Sequence, residues 1–260
     1  MLFRLSHVYP GMTPPTAAGD RTSPIAGQRV QHGPGVTATR AFPTNAYQSS
    51  LDPFVLFERF FIDADRGFPM HRHEGFEIVS YMLEGGMEHE DSLGVEHTAR
   101  ESEAMHITGG QGISHSEFPA DDAACSGLQL WINLPPEAKD AEPAYADATA
   151  AELPTEEMSG ATVTTVVGDG SPFDLHTPME YLDVHVTDTW TWTPDEEWAG
   201  FLFGTDGTGT VDGRSFGEGD VLPITNSRPV EVTSEETLRA VAVSGRPHDE
   251  PIRLRGPVVR

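Results

Sequence analysis

Two short segments of the chain carry side chains whose type and spacing suggest chemistry. In P-M-H-R-H-E-G-F-E, His71 and His73 stand two apart, and in G-I-S-H-S-E-F-P, about forty residues on, His115 and Glu117 repeat that spacing. Residues two apart on a strand point to the same face, so each segment presents two donor groups side by side. If the two strands are neighbours in a barrel, three imidazoles and a carboxylate meet at one interior point. Three neutral nitrogens and one anionic oxygen suit an octahedral first-row metal with two positions left open. Open positions mark a reaction site, whereas a closed tetrahedral set is usually structural.

The H-x-H pair alone is weak, because 11 histidines in 260 residues give roughly half such a pair by chance. The H-x-E pair, with Gly112 three residues before His115, turns the balance toward a metal. No H-E-x-x-H occurs, and the local H-E-G-F-E has a glutamate where a zinc protease needs histidine, which excludes a metalloprotease. Glu77 is an alternative to Glu117. It shares a face with His71 and His73, but four residues of straight strand put it roughly 13 Å from His73. It reaches a metal only if the chain turns near Gly75, so Glu117 is the preferred fourth ligand.

The elements that must hold these groups read as strands. Twenty-six glycines and 21 prolines punctuate short apolar stretches, and helical periodicity is nearly absent. Candidate strands cover 54–62, 76–83, 127–134, 162–167, 181–192, 200–203, 218–224 and 238–243, a spacing that suggests an all-β sandwich or barrel. Phe76, Ile78 and Met82 on one parity and Val79, Tyr81 and Leu83 on the other make the 76–83 strand apolar on both faces, as inside a barrel. Asp212-Gly213 is a hairpin turn, since both positions tolerate positive φ. Residues 135–160, rich in Ala, Glu, Asp and Pro, read as a linker with a short helix. The expected division is a metal-binding first half over 1–134, the linker, and a second half over 161–260. Residues 1 to about 28 carry only a weak strand signal.

Composition bounds the partners. The formal charge is −25, and Lys139 is the only lysine. Such a field repels nucleic acid. Abundant acid with almost no lysine resembles the cytoplasmic proteins of salt-loving microbes, where about 1 M salt shortens the screening length to roughly 3 Å. Cys125 is the single cysteine, so neither an intramolecular disulfide nor a cysteine-rich zinc cluster can form. The first residues hold no apolar run long enough for a signal peptide, and no stretch approaches a membrane span. A soluble cytoplasmic protein is the expectation.

Of the remaining histidines, His89 reads as a solvated turn residue ahead of a contact near the metal. His97 and His106 read as facing the surface or the strand exterior. His176 and His185 have no spaced partner, and His185 alternates with Leu182, Val184 and Val186 as an ordinary strand residue. The second half is therefore expected to be metal-free. Trp190, Trp192 and Trp198 read as core. Cys125 has no neighbouring cation to stabilise a thiolate.

The run P-M-H-R-H-E-G-F-E-I-V-S-Y-M-L-E-G-G, then M-E-H-E-D, G-I-S-H-S-E-F-P and G-L-Q-L-W-I-N-L-P, resembles the N-terminal cupin of the pirins. The likeness extends to L-D-P-F-V-L-F-E-R-F upstream and to P-E-A-K-D-A-E-P-A-Y and G-R-P-H-D-E-P-I-R-L-R-G-P downstream. It implies two cupin (jelly-roll type) β-barrels in tandem. It also implies iron(II) on His71, His73, His115 and Glu117, although Mn, Ni, Co or Cu would suit the same ligands. The implied reaction is 2,3-dioxygenation of a flavonol such as quercetin, with dioxygen as co-substrate, loss of carbon monoxide, and Glu117 as proton acceptor. The implied alternative is a redox-sensing regulator that binds a transcription factor or metabolic enzyme, with the state of the iron as switch. The sequence departs from the family in Glu74, where an arginine is usual, and in R-E-S-E-A at 100–104, where a Pro-Gly-Asp turn is usual.

Overall fold

A computed structural model describes residues 23–47, 50–225 and 227–259; the weak strand signal expected over 1–22 lies outside them. Among the described residues there is no α-helix, only the 3-10 turn Pro136–Ala138. No helix among them is long and apolar enough to cross a membrane.

The first half is a jelly roll of two antiparallel sheets. One has seven strands, in the order Ala144–Ala148, Ala104–Thr108, Phe76–Glu84, Cys125–Asn133, Phe54–Ile62, Val36–Phe42 and Gln28–Gly33. The other has four: Phe68–His73, Ile113–Pro119, Gly86–Asp91 and Glu96–Arg100. The second half is a ten-stranded sheet curled on itself around an apolar interior that includes Trp190, Trp192, Phe216 and Leu222. The Asp212-Gly213 hairpin forms as expected, with φ of 49° and 71°. The stretch 181–192 divides into Met179–Val186 and Thr189–Trp192, because Thr187 and Asp188 turn and donate to the Gly160 carbonyl.

The seven-stranded sheet is buried on both faces. Leu56, Phe60, Ile78 and Met82 face the interior of the first barrel, while Phe57, Tyr81, Leu128 and Leu130 join a core shared with Tyr181, Phe201, Phe203 and Val243 of the second. Phe57 and Phe201 rings lie 4.8 Å apart and Tyr81 and Tyr181 6.4 Å. Each large apolar side chain sealed here contributes about 1.5–3 kcal/mol. The Tyr81 hydroxyl crosses the same seam to Asp183, 3.0 Å away, which also holds Arg239 in a two-pronged pair.

Residues 135–160, set between the halves in the sequence, carry strands of both barrels. Ala144–Ala148 pairs with Ala104–Thr108, and Thr155–Met158 pairs with Ala161–Val167. Two further strands cross over. Ile25–Ala26 pairs with Asp220–Ile224 in the second barrel, and Val258 bridges to Glu74 in the first.

Candidate metal centre

Phe68–His73 and Ile113–Pro119 are neighbours, and His71 and His115 are directly opposed partners in their register. Their Nε2 atoms lie 3.1 Å apart. One donor atom from each of His71, His73 and His115 falls within 4.8 Å of the others. With metal–nitrogen bonds of about 2.1 Å, two ligands at right angles sit about 3.0 Å apart, so the His71–His115 pair already has ligating separation. His71 Nδ1 donates to the Pro69 carbonyl at 2.9 Å, which leaves the Nε2 lone pair facing inward. Burial, and then the neighbouring imidazoles, hold His73 down to about 2 and His115 down to about 3. Both are therefore neutral at ordinary pH, the form that ligates. His115 Nδ1 and His73 Nδ1 are buried without a hydrogen-bond partner. This donor set fits a single divalent cation.

Glu117 is 2 % exposed and shares the cleft with His71 and His73. Burial pushes its carboxyl up; His71, His89 and the Gln129 amide pull only part of that back. The Gln129 Nε2 lies 3.4 and 3.5 Å from its two oxygens. Glu77 lies elsewhere. Gly75, at φ +82°, turns the chain from the four-stranded sheet into the seven-stranded one, so strand parity does not carry across it. A Cβ at Gly75 would strike the Val259 carbonyl. Glu77 thereby faces the second barrel, bound to His106 at 3.0 Å, Thr108 at 3.4 Å and the His176 N–H at 3.4 Å.

Three expectations are corrected. His89 is not a solvated turn residue: it is 1 % exposed, stacks on Tyr145 at 4.7 Å and lies 5.3 Å from the His115 ring. Its strand pairs it with Glu117, so both point inward. His106 is on the outer strand face, as expected, but the second barrel covers that face and leaves it 6 % exposed. His97 is half-buried and His185 exposed. Trp190 and Trp192 are core, while Trp198 is only half-buried. Burial, with the Glu117 charge adding, pushes the Cys125 thiol up to about 12, against a reactive thiolate.

A cleft opens beside His71 and His73. Leu56, Phe68 and Trp131 form its apolar wall, and Gly256 and Pro257, from the far end of the chain, close one side. His32, Arg40 and Glu58 form its polar side. Burial works to raise the Glu58 carboxyl, but His32 at 2.7 Å and Arg40 at 2.9 Å prevail and hold it below the usual range. The backbone clip that brings Pro257 here runs through Glu74, whose N–H donates to the Pro257 carbonyl while its own carbonyl accepts from Val259. Lys139, the sole lysine, secures the clip from behind through Gly75, Asn133 and Val259. Sequence reasoning missed His32, Arg40, Glu58 and Gln129, whose meeting depends on pairing between distant strands.

The family model described as Pirin matches residues 35–132. The chain is 35% identical over 235 residues to Pirin-1 of Arabidopsis thaliana, spanning 83% of this chain and 79% of that protein. It is 33% identical over 229 residues to Pirin of Homo sapiens, spanning 81% and 77%. Among solved structures, a quercetin 2,3-dioxygenase from Acinetobacter baumannii superimposes with a TM-score of 0.82 at 25% identity, over 91% of this chain and 83% of that one. The tandem barrels are thus of the cupin type, as expected.

Proposed function

Since this chain belongs to the pirin family, we propose that it is an iron-dependent dioxygenase acting on a flavonol-like substrate, with the metal held by His71, His73, His115 and Glu117. The observation that carries this reading is the cluster of His71, His73 and His115, with the buried Glu117 carboxylate lining the same aromatic-walled cleft as His71 and His73. Likeness to the Acinetobacter quercetin 2,3-dioxygenase supports the substrate class.

Ferrous iron, when bound, supplies Lewis acidity and a redox centre at which an electron-rich substrate and dioxygen can react. The chain's own residues do the rest. His71, His73 and His115 supply lone pairs. Glu117, its carboxyl raised by burial, accepts the hydroxyl proton of the incoming flavonol. Leu56, Phe68 and Trp131 offer flat apolar surface to a planar ring system and exclude water from it. Arg40 and His32, which line the same cleft, offer hydrogen-bonding groups to the ligand's oxygens.

The regulatory alternative needs a metal and a protein-binding surface but no apolar cleft beside the metal, so the cleft favours the enzyme. The test is oxygen uptake and carbon monoxide release with quercetin in high-salt buffer, comparing iron-loaded with chelator-treated protein. Iron-dependent turnover is the expected result. No uptake by the loaded protein, together with a protein partner recovered only by the ferric form, would favour the regulator.

A further inference from the structure

Gln129 lies on the Cys125–Asn133 strand, where its register partners are Glu58 and Ser80. Its amide connects two residues of the cleft. Trp131 Nε1 donates to Gln129 Oε1 at 2.9 Å, and Gln129 Nε2 faces both Glu117 oxygens at 3.4 and 3.5 Å, with Ser80 Oγ also 3.4 Å away. A glutamine amide can ordinarily sit either way round. Here it cannot, because an indole N–H only donates and so requires the oxygen on its side. The indole is itself fixed, stacked on Phe76 at 4.5 Å and edge-on to His73 at 5.2 Å.

We propose that Gln129 is a positioning residue that aims the Glu117 carboxylate at the three imidazoles, and that Trp131 sets the direction of its amide. With the amide reversed, Oε1 would confront the carboxylate at the same spacing, acceptor against acceptor, and Glu117 would turn away. The wall that receives the substrate ring and the group that orients the carboxylate are therefore one unit. This inference rests on Glu117 being the fourth ligand.

The test uses cobalt(II) with the full chain, read by the visible ligand-field spectrum and by competition with a chelator. Thermal unfolding of the metal-free variants serves as the check on folding. Gln129→Met is expected to weaken cobalt binding about 10- to 100-fold, the usual effect of losing an outer partner, and to change the spectrum. Trp131→Phe, which keeps the ring and removes the N–H, is expected to move both readouts the same way by less. In the Gln129→Met background Trp131→Phe is expected to add less than it does alone, since the two share one contact and only its edge contact with His73 remains. Full additivity of the two substitutions, or a Gln129→Met protein with unchanged spectrum and affinity, would overturn the proposal. If Gln129→Met does not fold, Trp131→Phe alone decides, and an unchanged spectrum then overturns it. Glu117→Gln separates the two levels. If it too leaves cobalt binding unchanged, the ligand assignment fails and this inference with it; if it alters binding while the Gln129 variant does not, only this inference fails.

Discussion

His71 and His115 point their Nε2 atoms at each other across 3.1 Å from directly opposed strand positions. Because the His71 Nδ1 proton is committed to Pro69, its Nε2 lone pair accepts a hydrogen bond from His115 Nε2–H, and a bound cation would take the place of that proton. Removing either ring dismantles the pair. His115→Ala is expected to lower metal affinity by more than the roughly 10- to 100-fold that loss of an outer partner costs, and to abolish quercetin-dependent oxygen uptake. Elemental analysis after dialysis checks this; one tightly held ion with full turnover would sink the site.

Glu117→Gln keeps the shape of the side chain and removes the group that accepts a proton. Turnover is expected to fall about 10²- to 10⁴-fold, the range of a lost general base, with the protein folded as before. Steady-state kinetics on iron-loaded protein is the measurement, and a variant within a few-fold of wild type would remove Glu117 from the reaction.

Acid should unfold the metal-free protein through its neutral histidines. Folded His73 and His115 protonate only near about 2 and about 3, whereas in the unfolded chain both do so near 6.5. Between those limits the unfolded chain binds up to two more protons, so stability falls as pH drops below about 6.5. Glu117 has the opposite sign: its raised folded pKa makes the folded state take up that proton first and offsets part of the loss. Urea midpoints of chelator-treated protein, followed from about pH 8 to about pH 4, are expected to decline below about 6.5. A flat profile would contradict the burial of the two rings.

Asp183 is 2 % exposed and holds Arg239 within its own barrel and Tyr81 from the other. Asp183→Ala strands a half-buried guanidinium and a buried hydroxyl together. Its expected cost is about 3 kcal/mol or more, against about 1 kcal/mol for Tyr81→Phe, which loses one hydrogen bond. Chemical denaturation distinguishes them; equal midpoints would mean that Asp183 contributes no more than that bond.

What the sequence made legible was local. Strand parity put His71 beside His73 and His115 beside Glu117 without knowledge of the fold, and the 54–62 strand was readable from its apolar run. The same parity rule misplaced Glu77, because Gly75 at positive φ hands the chain from one sheet to another. His89 was misjudged because its orientation comes from pairing with Glu117 nearly thirty residues away, and register between strands is not written in either one. His106 was read to the correct strand face, but only the second barrel makes that face an interior. The Trp131–Gln129–Glu117 chain was beyond reach for a related reason: two of its members are close in sequence, but the third arrives from the opposite sheet.

Covalent order and sheet membership disagree in this molecule. Ile25–Ala26 completes the barrel it precedes by more than a hundred residues, and Val259 plugs a patch of Val55, Phe76, Ile78, Ile107 and Ile113 in the barrel it has long since left. No single scission can therefore yield two self-sufficient lobes. A nick in the connector would leave the pieces clasped, and a truncated gene for the first lobe would produce a protein with a sticky, uncorked flank beside its histidine-lined cleft.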